Sequence, residues 1–168
     1  MSQGYSQAHQ ANDFAGKYGE FLVAPFPCVV GNVRGPLTLD NSQDDLRNGC
    51  GIKLVSTQDP RISLSYWHTL PVFNHVKGDF LRQGEVCAEM GNTGWVESNG
   101  KLVPVDIRLL PPYPGTHTHI SMGRNNEDGT YTAMDYSKLI DWSIPVSYNL
   151  IETIQGFLRS LSNLLTNK

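Results

Sequence analysis

The run RISLSYWH, residues 61–68, alternates without a break: Ile62, Leu64, Tyr66 and His68 hold one parity, and Arg61, Ser63, Ser65 and Trp67 the other. A period of two marks a strand, because successive side chains point to opposite faces of a sheet. The spacing therefore predicts a strand through His68, with Tyr66 and His68 on one face. Outward from it, Gly51–Ser56 reads as a second strand and Phe21–Val33 as a third, interrupted at Pro25 and Pro27. On the other side, GDFLRQGEVCAEMGNTG, residues 78–94, places glycines at 78, 84, 91 and 94 around two short apolar runs. That pattern predicts successive tight hairpins. The chain reads as mainly β, an antiparallel sheet or sandwich.

Composition agrees. The 168 residues suit one domain, and 16 Gly with 10 Pro favour short elements joined by turns. Charged residues are 17% of the chain and the net charge is −3, which argues against a nucleic-acid grip based on phosphate neutralisation. No stretch approaches the roughly 18 apolar residues of a membrane span. The opening MSQGYSQAHQANDF has neither the basic start nor the apolar run of a signal peptide. Cys28, Cys50 and Cys87 are odd in number and lack metal-type spacing, so they read as buried, reduced thiols, with one disulfide plus a free thiol as the alternative.

Two stretches, Gly35–Gly49 and Trp95–Pro114, show no periodicity, and the second ends in Pro111, Pro112 and Pro114. Long irregular connections in compact domains tend to be functional. After Pro145 the pattern changes: Leu150, Ile154, Phe157, Leu161 and Leu164 follow 4-3-4-3 spacing, behind Asn149 and Glu152 as a capping box. A helix over about Leu150–Leu165 is expected, its stripe covering the β core or serving as a docking or oligomerising face. The chain divides into a β-rich unit, 1–142, and a helical extension, 143–168.

Five histidines are present: His9, His68, His75, His117 and His119. In GTHTHISM, residues 115–122, His117 and His119 are two apart and share a strand face. His9 stands four residues before Asp13. Zinc takes imidazole nitrogen and carboxylate oxygen, and a catalytic zinc uses three protein ligands with one position left open. Spacing alone leaves two readings: a metal site, or histidines packed for structure.

The order of the motifs adds to this. His9-Gln-Ala-Asn-Asp13 is followed by Gly19-Glu-Phe-Leu-Val-Ala-Pro25. Then come Tyr66-Trp-His68, Val76-Lys-Gly78-Asp through Gly84-Glu-Val to Gly91-Asn-Thr-Gly94, and finally His117-Thr-His119. This collinear series, over residues 3 to 122, resembles the lysostaphin/LytM-type zinc metallopeptidases, which cleave peptidoglycan peptides. The resemblance implies the family's mainly β fold of duplicated hybrid motif type, with a substrate groove. It implies one Zn2+ per chain held by His9, Asp13 and His119, and His68 and His117 as an unliganded catalytic pair. In that reading His117 orients and deprotonates the attacking water, zinc and protonated His68 stabilise the carbonyl oxygen, and one of the two histidines protonates the leaving amine, with the division of labour between them open. The implied partners are peptidoglycan peptides, and the implied place of work is the cell envelope or the extracellular space, or delivery by phage. His75 matches nothing in the pattern and reads as a surface or loop residue.

Three departures limit the carry-over. Ala11 replaces the usual glycine of H-x-G-x-D, and His119-Ile120-Ser121 lacks the glutamate of H-x-H-F-E. Between Gly94 and His117 the chain inserts about a score of residues, with Trp95, Tyr113 and four prolines, where the family has a short connection. Two other functions stay open at this point: a non-catalytic relative that binds cell wall or regulates a hydrolase, and a structural β module of an envelope or phage-tail assembly.

Overall fold

A computed structural model describes residues 3–35, 47–108 and 110–139. Eleven strands follow one another: β1 (Asn12–Ala15), β2 (Phe21–Val23), β3 (Cys28–Arg34), β4 (Gly51–Ser56), β5 (Ile62–Trp67), β6 (Phe80–Leu81), β7 (Val86–Glu89), β8 (Glu97–Ser98), β9 (Lys101–Leu102), β10 (His117–Asn125) and β11 (Tyr131–Met134). A four-residue helix, α1 (Val105–Arg108), and a 3-10 turn at Tyr136–Lys138 complete the described elements. The expected helix at Leu150–Leu165 and the middle of Gly35–Gly49 lie outside the described residues.

The principal sheet runs β1-β10-β5-β4-β3-β6, with β11 also paired to β10, while β2-β7 and β8-β9 form two small sheets. All the pairings are antiparallel. Register explains where the core sits. Ile120, Tyr66 and Ile52 line up across β10, β5 and β4, and Met122, Leu64, Leu54 and Val30 make the next row across to β3. These residues, with Leu22, Cys87 and Ala88 from β2 and β7, form one buried cluster. Burying each Leu, Ile or Val side chain contributes about 1.5–3 kcal/mol. The opposite parity carries Ser63, Ser65 and Trp67 on β5 and His117, His119 and Ser121 on β10. One face of the sheet is thus committed to the core, and the other is available for chemistry.

The predicted strands are largely present. Phe21–Val33 resolves into β2 and β3, parted at Ala24–Pro27, and Gly51–Ser56 is β4. The strand from Ile62 stops at Trp67, because His68 has φ 60° and turns out of the pleat. The expected hairpins within 78–94 are not formed: β6 pairs with β3, and β7 with β2. Gly78, Gly84 and Gly94 do mark turns, each at positive φ, but the turns at Gly84 and Gly94 carry the chain from one sheet to another. A turn signal states where the chain reverses and not which strand it meets.

The inserted stretch Trp95–Pro114 contains the β8-β9 hairpin, whose turn residues Asn99 and Gly100 have φ 53° and 71°. Two successive positive φ values suit the tight turn that joins twisted strands. Cys28, Cys50 and Cys87 are buried and unbridged. Among the described residues no helix is long and apolar enough to cross a membrane.

Candidate metal centre

The pairing of β1 with β10 sets Asp13 opposite His119 and Ala15 opposite His117. His119 Nδ1 lies 2.9 Å from Asp13 Oδ1. His9 reaches the same carboxylate from the segment before β1, which Gln3 ties to Asp13 through Asp13 N–H donating to the Gln3 carbonyl, 2.8 Å. Within that segment Ser6 and His9 exchange backbone hydrogen bonds of 2.9 and 3.2 Å. The His9 amide also donates to Ser6 Oγ, 3.0 Å. His9 Nδ1 faces the Gly4 carbonyl at 3.4 Å, so its proton belongs on Nδ1 and the lone pair on Nε2. That Nε2 stands 3.5 Å from Asp13 Oδ1 and 3.3 Å from His119 Nδ1.

Three side-chain donor atoms form a triangle with edges of 2.9, 3.3 and 3.5 Å, two of them at the spacing of ligands around one tetrahedral ion and the third shorter, at a hydrogen-bond distance. Bonds of about 2.0–2.2 Å from zinc to nitrogen and oxygen put neighbouring ligands about 3.3–3.6 Å apart. Among the described residues, His9, Asp13 and His119 are the group of three able to hold a metal. Burial opposes ionisation of Asp13, but the His119 hydrogen bond and the charges of His119, His117 and His9 outweigh it and hold the carboxyl below its usual range. The carboxylate is therefore an available anionic ligand.

His68 and His117 sit beside this triangle, with ring centroids 4.6 Å apart, and the His68 ring is 6.0 Å from that of His119. Each is held from behind by a backbone carbonyl. His68 Nδ1 is 2.7 Å from the Thr93 oxygen and His117 Nδ1 is 2.8 Å from that of Gly115. A carbonyl only accepts, so both Nδ1 atoms carry a proton, and in the neutral form of either ring the lone pair is on Nε2. Burial, assisted by neighbouring His117, pushes the His68 pKa down to about 3 although the Thr93 carbonyl favours the cation. Burial thus favours the neutral form of His68 in the free site.

All five of these residues line a groove of about 950 Å3. Trp67 pairs with His119 across β5 and β10, and its indole N–H donates to Ser121 Oγ at 3.0 Å. Gly51 lets the indole lie flat there, since a Cβ at that position would be 2.3 Å from a Trp67 ring carbon. The inserted stretch supplies a wall through Trp95, Glu97 and the β8-β9 turn. Trp95 N–H donates to the Arg47 carbonyl, 2.8 Å, and the Arg47 guanidinium lies 5.2 Å over the Trp95 ring. His75 is in a different place, a loop, where its Nε2–H donates to the Val86 carbonyl at 3.0 Å. Sequence reasoning missed Thr93 and Gly115, which act through backbone oxygens that residue type does not encode. It also missed the β8-β9 hairpin, although Asn99-Gly100 is a recognisable turn pair.

No protein-family model matches the chain, and no curated protein matches it. Solved structures do. LytU is 21% identical with a TM-score of 0.58, covering 84% of this chain and 82% of its own. The antimicrobial peptidase lysostaphin from Staphylococcus simulans is 18% identical with a TM-score of 0.54, covering 89% of this chain and 55% of its own, so this chain spans about half of that protein. A variant catalytic domain of the prophage-encoded protein EnpA from Enterococcus faecalis is 16% identical with a TM-score of 0.50, covering 79% and 80%. The likeness is one of fold, and it agrees with the lysostaphin/LytM type indicated by the motifs.

Proposed function

We propose that the chain is a zinc-dependent endopeptidase that hydrolyses peptide bonds of bacterial peptidoglycan, in the stem peptide or the cross-bridge. The observation that carries this is the His9, Asp13 and His119 triangle with two carbonyl-anchored histidines beside it in one groove. The peptidase unit is residues 1–142, with 143–168 as an extension, and the protein works on cell wall in the envelope or outside the cell.

His9 Nε2, Asp13 Oδ1 and His119 Nδ1 would hold the ion. Zinc in this donor set supplies a Lewis acid that acidifies water and polarises a peptide carbonyl. The protein's own residues handle the proton. His117 Nε2 takes it from the attacking water as the water oxygen bonds to the carbonyl carbon. The imidazolium so formed gives it to the leaving nitrogen as the C–N bond breaks. The Gly115 carbonyl keeps the His117 ring in the required tautomer throughout. His68, neutral and anchored on Thr93, accepts a hydrogen bond from substrate or water at Nε2. Trp95 and the β8-β9 turn shield one side of the groove.

The test is zinc per chain together with the masses of products released from peptidoglycan of known cross-link type, by the wild type and by His117→Ala. One zinc with new amino termini at one defined bond is expected. Zinc without cleavage across several wall chemistries would replace this proposal with a wall-binding role.

A further inference from the structure

The inserted stretch does more than wall the groove. α1 ends in Arg108, which is only 4% exposed. A guanidinium buried that far must be hydrogen-bonded, and Arg108 Nη1 donates to the carbonyl of Asn92, at 3.1 Å, and to that of Gly94. The Asn92 side-chain amide answers by donating to the Arg108 carbonyl, 3.1 Å. Charge-assisted bonds of this kind are stronger than neutral ones.

Between the two clasped residues is Thr93, whose carbonyl accepts from His68 Nδ1. Its other contacts point the same way. Thr93 Oγ1 donates to the Thr69 carbonyl, 2.8 Å, and accepts from the Cys50 amide, 2.9 Å. A Cβ on Gly49 would be 2.4 Å from the Thr93 oxygen, so backbone packs against that carbonyl directly. The carbonyl is fixed from both flanks, and Arg108 fixes the flank that comes from the insertion.

We propose that Arg108 is a positioning residue: by clasping Asn92 and Gly94 it holds the Thr93 carbonyl where it keeps His68 in the Nδ1–H form, with the Nε2 lone pair presented to the groove. The insertion thereby sets the state of a side chain on the strand end beside the groove. The kinetic part of the inference rests on the proposed peptidase activity, and the tautomer part stands without it. Without the clasp, the Asn92–Gly94 backbone relaxes and the His68 ring exchanges between its two neutral forms. Displacement of a reacting group by about 1 Å costs on the order of 100-fold in rate.

The test uses the full, zinc-loaded, 15N-labelled chain and two variants. Arg108→Met keeps the stem and removes every donor, and Arg108→Lys keeps a donor without the planar fork. Long-range 1H–15N spectra of the histidines report the tautomer. In the wild type His68 should show one protonated nitrogen, Nδ1, and in Arg108→Met a mixture, with His117 unchanged. Arg108→Lys should lie between the two. With a wall peptide, kcat should fall 10- to 100-fold in Arg108→Met with KM within two-fold and zinc content unchanged, and Arg108→Lys should recover part of the loss. An unaltered His68 spectrum in Arg108→Met would overturn the inference. If that variant does not fold, an unaltered His68 spectrum and kcat in Arg108→Lys would do so. A wild type that cleaves nothing defeats the proposed activity, and the spectra still decide the role of Arg108.

Discussion

Asp13 and His119 are direct partners across β1 and β10, and the pairing leaves His119 Nδ1 2.9 Å from Asp13 Oδ1. The sheet ladder itself therefore brings together two of the three side chains proposed to hold the metal, and only His9 has to be brought from outside it. Replacing Asp13 by Ala removes the anionic ligand without disturbing the ladder, since the pairing is through the backbone. Zinc affinity in Asp13→Ala should fall by more than the about 10- to 100-fold that loss of an outer partner costs. Competition with a chromogenic chelator measures it, and an affinity equal to wild type would remove Asp13 from the ligand set.

Metal removal should also lower stability, because an ion that binds only the folded state stabilises it by mass action. Zinc at about 1,000 times its Kd contributes about 4 kcal/mol. At about 2–4 °C per kcal/mol for a chain of this size, treatment with a chelator should lower the melting temperature by about 8–16 °C. The same treatment of Asp13→Ala should lower it by less, because weaker binding contributes less by mass action. Calorimetry with and without added zinc gives the comparison.

His117→Ala should retain zinc and lose turnover. A positioned general base contributes about 100- to 10,000-fold, and the loss should appear in kcat with little change in KM. Metal content by mass spectrometry and steady-state kinetics on one wall peptide separate the two effects. Loss of zinc in this variant would mean that His117 belongs among the ligands.

Leu64 lies between Leu54 and Met122 in a row that crosses three strands, and it is fully buried. Leu64→Ala should destabilise the fold by about 2–5 kcal/mol through lost burial and the cavity left behind. Urea unfolding at constant pH reads this as a lower midpoint with an unchanged slope. A change below about 0.5 kcal/mol would contradict the assigned core face.

The buried thiols predict an alkaline limit. Burial, with the charge of Glu85, raises the Cys28 pKa to about 11, and burial beside Cys28 raises that of Cys87 to about 12. The unfolded chain loses these protons first, near the ordinary thiol pKa of about 8.5. Stability is therefore intact below that pH and declines as pH rises toward 11 and 12. Unfolding midpoints should be level from pH 7 to 8.5 and fall above about 9. At pH 8 a thiol reagent should react slowly with the native protein and rapidly with three groups in urea. Three fast thiols in the native protein would refute it.

Legibility in the sequence varied with the range of the physics involved. The strands at Gly51–Ser56 and Ile62–Trp67 were readable because burial on one face imposes a period of two on any chain. The pairing of β6 and β7 was not, since glycine turns mark reversals and the partner strand is chosen by distant residues. His9, Asp13, His68, His117 and His119 were readable as a set from their order. His68 also showed the limit, for its backbone leaves the strand at φ 60° and its charge state follows from burial that alternation does not measure.

Residue types and their order specified a mainly β chain, its two-faced strands and the five side chains to which we assign the chemistry, because each of these is a local or ordered property of the polymer. Three-dimensional packing supplied the rest. It brought His9 to within 3.3 Å of His119 across 110 positions, chose Nδ1 as the protonated nitrogen of His68 and His117, and placed Arg108 behind Thr93. Those outcomes depend on backbone carbonyls and on exclusion of water, and neither exists at a defined place until the sheet has closed over its core.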